Sequence, residues 1–148
     1  MKISAKARYG LAAIITMAKK SDEEECITVL SLSEDLKISK IYLEQVFSQL
    51  KRGEIVTSTK GSRGGYSLSK PASEITVYDL LVTIENSIFE KTEKTVEESA
   101  PYLENCMQEE VFDVLDNGVK ENLSEITIEE LVNKLGKYRD NESYMYYV

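Results

Sequence analysis

The sequence contains no histidine and no tryptophan. Without histidine the chain lacks the commonest general base and the commonest metal ligand, which removes the proton shuttle of most hydrolase mechanisms. Its two cysteines, Cys26 and Cys106, stand in unrelated contexts, too few for a disulfide scaffold and in keeping with a reducing cytoplasm. Long apolar runs are also missing. The stretch from Leu11 to Ala18 is followed at once by Lys19 and Lys20, so neither a membrane span nor a signal peptide is expected. A chain of 148 residues has room for one modest core and an oligomerisation segment, not for two full-sized domains.

What is present is unevenly distributed. Residues 1–72 hold 12 Lys/Arg against 8 Asp/Glu, a net +4, whereas residues 73–148 hold 6 against 18, a net −12. The total of −8 therefore hides a basic front half. Phosphate contacts dominate affinity for duplex DNA, so a local basic surface counts for more than the sign of the whole. An ordinary protein with segregated charge would look the same at this level.

Ser4 stands before Ala7, Leu11, Ile14, Ile15 and Ala18 at helical spacing, which predicts a first helix over 5–20. Lys6 and Arg8 fall in its first turn, where the helix dipole disfavours cations; they are either phosphate contacts or solvated charges. Asp22 to Glu25 reads as a loop, and Ile27-Thr28-Val29 as a small strand in need of a partner. Ser31 with Glu34 matches a capping box for a short helix carrying Leu32 and Leu36. Ser39 then caps a helix with Leu43, Val46, Phe47 and Leu50 inward, ending at Gly53. The link is only Lys37 and Ile38, and the outer face carries Lys40, Tyr42, Glu44, Gln45, Ser48 and Gln49. These are helix-turn-helix proportions, although plain helical packing produces such pairs too.

A β-hairpin follows, with Ile55 to Thr59 and Tyr66 to Leu68 flanking Gly61-Ser62-Arg63-Gly64-Gly65. Lys60 and Arg63 at its tip suit a wing whose backbone approaches a surface while cations reach into a groove. A nucleotide-binding P-loop would end in Gly-Lys-Ser/Thr and run into a helix, whereas this loop returns to a strand.

Pro71-Ala72-Ser73 marks the charge reversal and is the candidate boundary, giving a DNA-binding unit 1–72 and a helical dimerisation and signal-sensing region 73–148. Thr76 with Asp79 opens a helix bearing Val77, Leu80, Leu81, Ile84 and Ile88, and the polar stretch 90–100 reads as a mobile loop. Beyond Pro101, Leu103, Met107, Val111, Val114 or Leu115, Val119 and Leu123 recur over about six turns of one long helix. No sheet is at hand to cover that stripe, so a second copy is the expected cover, with Leu103, Met107, Val111, Val114, Leu115 and Val119 as dimerisation residues. Thr127 with Glu130 opens a last helix that Gly136 is expected to end. The echo between Ile75-Thr76-Val77 and Ile126-Thr127-Ile128 reads as two similar helix starts, not a repeat. The tail, with Tyr138, Tyr144, Tyr146 and Tyr147, is either disordered or a short strand docked on a neighbouring subunit. For an enzyme the chain offers only Cys106 near Glu109 and Glu110, with nothing to orient them, so none is expected; the alternative is a small thiol-dependent sensor or enzyme using Cys106.

Several segments together carry a resemblance. Met1-Lys2-Ile3-Ser4 with Arg8-Tyr9-Gly10, Ile38-Ser39, Tyr42-Leu43-Glu44-Gln45-Val46-Phe47, Gly64-Gly65-Tyr66-Ser67-Leu68 and Ile75-Thr76-Val77 resemble the Rrf2 family of bacterial transcriptional regulators. The match runs from Met1 to about Glu85 and resumes over Ile126 to Val132. The resemblance implies a mainly α fold with a small hairpin wing: a winged helix-turn-helix head, a long helix crossing its mate in a homodimer, and double-stranded DNA with a roughly palindromic operator as partner. It places Ser39, Glu44 and Gln45 toward the major groove and the wing, with Lys60, Ser62, Arg63, Gly64 and Gly65, in the minor groove. Lys60 stands where the family often has arginine, and Ser62-Arg63 replaces Pro-Gly, so the minor-groove cation is Lys60, Arg63 or both. Glu44 either accepts from a cytosine amino group or pairs with Lys40 at i, i+4.

Cluster-binding members of the family carry three cysteines before the long helix. Here Cys106, 21 residues before Thr127, resembles the third, and Phe89 to Asn105 contains none. One thiolate is too few to hold an iron–sulfur cluster, so no cofactor and no metal are expected. Cys106 is the candidate for a redox role, set against an idle or buried thiol; Cys26, beside four acidic residues, is a poor setting for a nucleophile. The signal is expected to be a small molecule held by the acidic half or a partner protein, since members without the triad include one that answers to a cysteine-synthesis enzyme by direct contact.

Overall fold

The computed structural model describes residues 2–22 and 25–146. Three helices come first: α1 (Ala5–Lys20), α2 (Val29–Leu36) and α3 (Lys40–Arg52). The hairpin β1 (Val56–Thr59) and β2 (Gly65–Leu68) follows, then α4 (Val77–Ile84), α5 (Pro101–Met107), α6 (Asp113–Ser124) and α7 (Ile128–Tyr146). The fold is thus mainly α with one antiparallel hairpin, as the sequence predicts, and Val56 pairs with Leu68 and Thr59 with Gly65.

The core forms where the apolar stripes of α1, α3 and α4 meet. Ala7, Ala13, Ile14 and Met17 pack with Leu43, Val46, Phe47 and Leu50 and with Leu80, Leu81 and Ile84. At Gly10 the approach is close enough that a Cβ would lie 2.2 Å from Ile84 Cδ1 and 3.2 Å from Val46 Cγ1, so a side chain there would require Ile84 to turn aside. Ser4 caps α1 by accepting from Ala7 N at 3.1 Å, and its own N–H and hydroxyl donate to Glu85 Oε2 at 3.1 and 2.5 Å. The start of α1 is thereby tied to the end of α4. The core does not stop at residue 72: Ile75, Val77 and Ile128 belong to it, so the charge reversal at Pro71–Ser73 is not a break in packing.

The two echoing segments are both helix starts, and they pair with each other. Thr76 forms a capping box with Asp79, and Thr127 and Glu130 exchange the same two bonds, each at 3.2 Å. Val77 N donates to Ile126 O and Ile128 N to Ile75 O, both at 2.9 Å. Two caps in antiparallel contact bury Ile75 and Ile128 completely and clamp α7 onto α4.

Six expectations change in detail. The cap of the second helix is Thr28, not Ser31: Ser31 N donates to Thr28 Oγ1 at 3.1 Å, because starting there puts Val29 and Leu32 on one buried face. Of the expected strand only Ile27 bridges, exchanging two backbone bonds of 2.8 Å with Tyr66. α4 ends at Ile84, where Glu85 turns away to meet Ser4, and Ile88 lies in a 3₁₀ turn over Asn86–Phe89. The long helix is continuous but contains a π turn at Gln108–Phe112 between α5 and α6, with Gln108 Nε2 donating to Asp113 Oδ1 at 2.7 Å. Gly136 does not end α7; glycine costs a helix about 1 kcal/mol but stops it only with a left-handed exit, which helix-forming neighbours here do not provide. The tail through Tyr146 is accordingly helical, neither strand nor coil, while Tyr147 lies outside the described residues.

Candidate nucleic-acid interface

Lys37 in the left-handed conformation (φ 56°) makes the tight turn between α2 and α3. Ser39 then caps α3, accepting from Tyr42 N at 3.4 Å. With Leu43, Val46, Phe47 and Leu50 locked in the core, the opposite face follows from helical geometry: Ser39, Lys40, Ile41, Glu44, Gln45 and Ser48 are exposed. Lys40 Nζ lies 3.6 Å from Glu44 Oε1, both side chains about half exposed. Tyr42 is half-buried and meets Tyr9 edge-on, ring centroids 5.6 Å apart, which sets the first turn of α1 beside the first turn of α3. Arg8 is exposed and Lys6 half-buried at that junction.

The hairpin projects from the same head. Tyr66 anchors it by ring contact with Phe47 at 4.9 Å and by its bonds to Ile27. Gly65 permits this: at φ +155° a Cβ there would lie 2.7 Å from Ile27 O. Lys60, Ser62 and Arg63 at the turn are exposed, with Gly64 and Gly65 half-buried behind them. No described ion pair ties down Lys60 or Arg63, so both cations stay available to an anionic surface.

In the acidic half the expected dimerisation stripe is open. Leu103, Val111, Val114 and Leu115 are 55, 54, 64 and 59% exposed, and Met107 and Val119 are half-buried. Leu30, Ile41 and Tyr102 are exposed apolar side chains that the sequence pattern does not mark. Tyr102, 90% exposed, extends the stripe; Ile41, 70% exposed, stands on the outer face of α3. Ile41 was detectable, because it is out of phase with the Leu43–Leu50 stripe and has no core to enter.

Cys106 is exposed, not buried, while Cys26 is half-buried ahead of α2; both are free thiols. These residues do not fit an iron centre. The donor set lacks histidine, offers one thiol near the long helix, and no three Cys, Asp or Glu converge among the described residues. The carboxylate of Glu104, completely buried, is already engaged by the backbone N–H groups of Thr95 and Val96 at 3.1 and 2.7 Å, where it fixes the 90–100 loop.

A helix-turn-helix with an exposed polar second helix, followed by a cation-tipped hairpin, defines a winged helix-turn-helix DNA-binding protein. The chain belongs to the Rrf2 family, described as iron-dependent transcriptional regulators, whose pattern matches residues 3–134. It is 34% identical over 133 residues to the HTH-type transcriptional regulator IscR of Photorhabdus laumondii, covering 90% of this chain and 80% of that protein. It is 33% identical to the regulator CymR of Bacillus subtilis over the full length of both. Among solved structures, CymR (YrzC), the global cysteine regulator of B. subtilis, superposes with TM-score 0.74 at 32% identity over 90% of this chain and 98% of that one. The oxidized form of Staphylococcus aureus CymR gives 0.68, also at 32% identity, over 89% and 96%. The protein is a DNA-binding transcriptional regulator, not an enzyme.

Proposed function

We propose that the protein works in the cytoplasm as a homodimer that sets two heads on successive half-sites of a roughly palindromic operator, as a repressor or an activator. In this reading α3 enters the major groove with Ser39, Lys40, Tyr42, Glu44 and Gln45 toward it. Ile41 meets a thymine methyl, Lys6, Arg8 and Tyr9 hold the adjacent backbone, and Lys60, Ser62, Arg63, Gly64 and Gly65 follow the minor groove. Residues 1–72 supply the DNA contacts, and residues 73–148 supply dimerisation and signal response. Consistent with a cytoplasmic site of action, no described helix is long and apolar enough to cross a membrane.

The supporting observation is the division of α3 into a fully buried stripe and an exposed polar face beside the first turn of α1. The Lys40–Glu44 pair does not bar base readout. An exposed i, i+4 pair contributes about 0.3–0.5 kcal/mol, whereas a well-placed base contact discriminates by about 1–3 kcal/mol, so the pair yields to a cytosine amino group. The exposed row Tyr102, Leu103, Val111, Val114 and Leu115 supports the dimer, since an apolar stripe on a projecting helix is covered most simply by its own copy. Footprinting on DNA from the chain's own upstream region tests the reading. Two protected stretches about one helical turn apart are expected; one protected patch, or none, contradicts it.

A further inference from the structure

We infer that the place where the long helix, through α6, packs against α4 holds a binding site for a small zwitterion of the α-amino acid class. A cavity of about 250 Å³ lies between Tyr78 in the first turn of α4, the Asn86–Phe89 turn and α6. Drug-sized ligands occupy pockets of roughly 300–1,000 Å³, so this one suits something smaller. Asp116 stands in its wall, and Asp116 Oδ2 is one of two buried side-chain oxygens among the described residues that have no hydrogen-bond partner. A buried carboxylate oxygen left without a donor is costly, which makes a cationic donor welcome there.

The obvious internal donor is held elsewhere. Lys120 is four residues on from Asp116, the spacing at which helix ion pairs form, yet no ion pair joins them among the described residues. The Lys120 ammonium instead sits 5.6 Å from the ring centroid of Tyr78, and Tyr78 packs edge-on against Phe89 at 4.9 Å. Lys91 lines the same cavity. Asp116, Lys91 and Lys120 thus line one cavity, and no described ion pair joins them. A ligand ammonium would satisfy Asp116 after a small side-chain rotation, its carboxylate would meet Lys120 and Lys91, and a short side chain would lie on Phe89 and Leu115. The larger hollow behind the wing, about 960 Å³, has no unpartnered buried group in its wall.

The consequence for regulation rests on the proposed dimer. Leu115 and Val119 line the cavity and also belong to the proposed dimerisation stripe, so a bound ligand sets the angle of α6 and with it the spacing of the two heads. The binding step itself does not depend on that reading and is tested separately.

The full-length protein is screened by thermal shift against the common L-amino acids at millimolar concentration, and binders are titrated by calorimetry. At least one should raise the melting temperature and bind once per chain. Asp116→Asn should weaken that binding at least about tenfold and Lys120→Met should weaken it too, while circular dichroism and DNA affinity without ligand are unchanged. An amine without a carboxylate and a carboxylate without an amine should each bind more weakly than the amino acid. The inference is overturned if no amino acid shifts the melting temperature, if Asp116→Asn binds as tightly as the parent, or if the simple amine does. Intact operator binding alongside such a failure would leave the DNA-binding proposal standing.

Discussion

The seat of the wing can be tested by a single methyl group. In Gly65→Ala the new Cβ would lie 2.7 Å from Ile27 O and 2.9 Å from Ile27 C, both backbone atoms that no rotamer change can move. Ordinary van der Waals separation is more than about 0.5 Å longer, so Ile27 and Tyr66 must move apart. Their two mutual bonds of 2.8 Å then weaken together. Two hydrogen bonds at about 1 kcal/mol each, with about 1–2 kcal/mol for a side chain at φ +155°, give a destabilisation of roughly 3–4 kcal/mol. For a chain of this size that lowers the melting temperature by about 6–15 °C. Urea denaturation at fixed protein concentration measures the effect, and DNA titration should show weakened binding with helical circular dichroism retained. Gly136→Ala is the opposite control: nothing lies within 4 Å of its Cβ on α7, so it should stabilise by about 0.5–1 kcal/mol. If Gly65→Ala stays within about 0.5 kcal/mol of the parent, the account of how the wing is held is wrong.

Other outcomes follow from the same geometry. Lys60→Ala with Arg63→Ala should weaken DNA binding and flatten its salt dependence by about 0.9 in log–log slope for each phosphate no longer neutralised; unchanged retention would remove the wing from the interface. Val111→Glu with Val114→Glu places charge on the open stripe and should halve the mass seen by light scattering, a result that an unaltered mass would refute. Thr76→Ala removes the acceptor for Asp79 N and should cost about 1–2 kcal/mol in urea denaturation, whereas a neutral result would mean that the paired caps do not clamp α7 to α4.

Much of this architecture is legible in the chain because local signals and packing agree. Ser4, Ser39 and the Thr76/Asp79 box each stand directly before a stripe that enters the core, so caps and periodicity point to the same boundaries. Disagreement arises where tertiary contacts choose between equivalent local options. Thr28 and Ser31 are both good caps, and only burial of Val29 and Leu32 selects the first. Glu85 ends α4 because Ser4, 81 residues earlier, offers it two donors. Ile27 bridges to Tyr66 through backbone groups that leave no side-chain pattern, and the π turn at Gln108–Phe112 shifts the phase of the long helix without altering its composition. In the interface, the polar face of α3 and the wing cations were readable from spacing. Ile41 is betrayed only by its phase against the Leu43–Leu50 stripe, and Tyr102 by nothing in the local pattern, since an apolar residue is ordinarily assigned to the core until its exposure is seen.

The central claim is that paired basic heads clasp one DNA duplex. Fluorescence anisotropy of the protein on DNA from its own upstream region, run to stoichiometry and then across a salt series, tests it most directly. Two chains per duplex are expected, with log affinity falling against log salt at a slope of about −5 to −7, as roughly three or four phosphate contacts per head require. One chain per duplex, or affinity indifferent to salt, would contradict it.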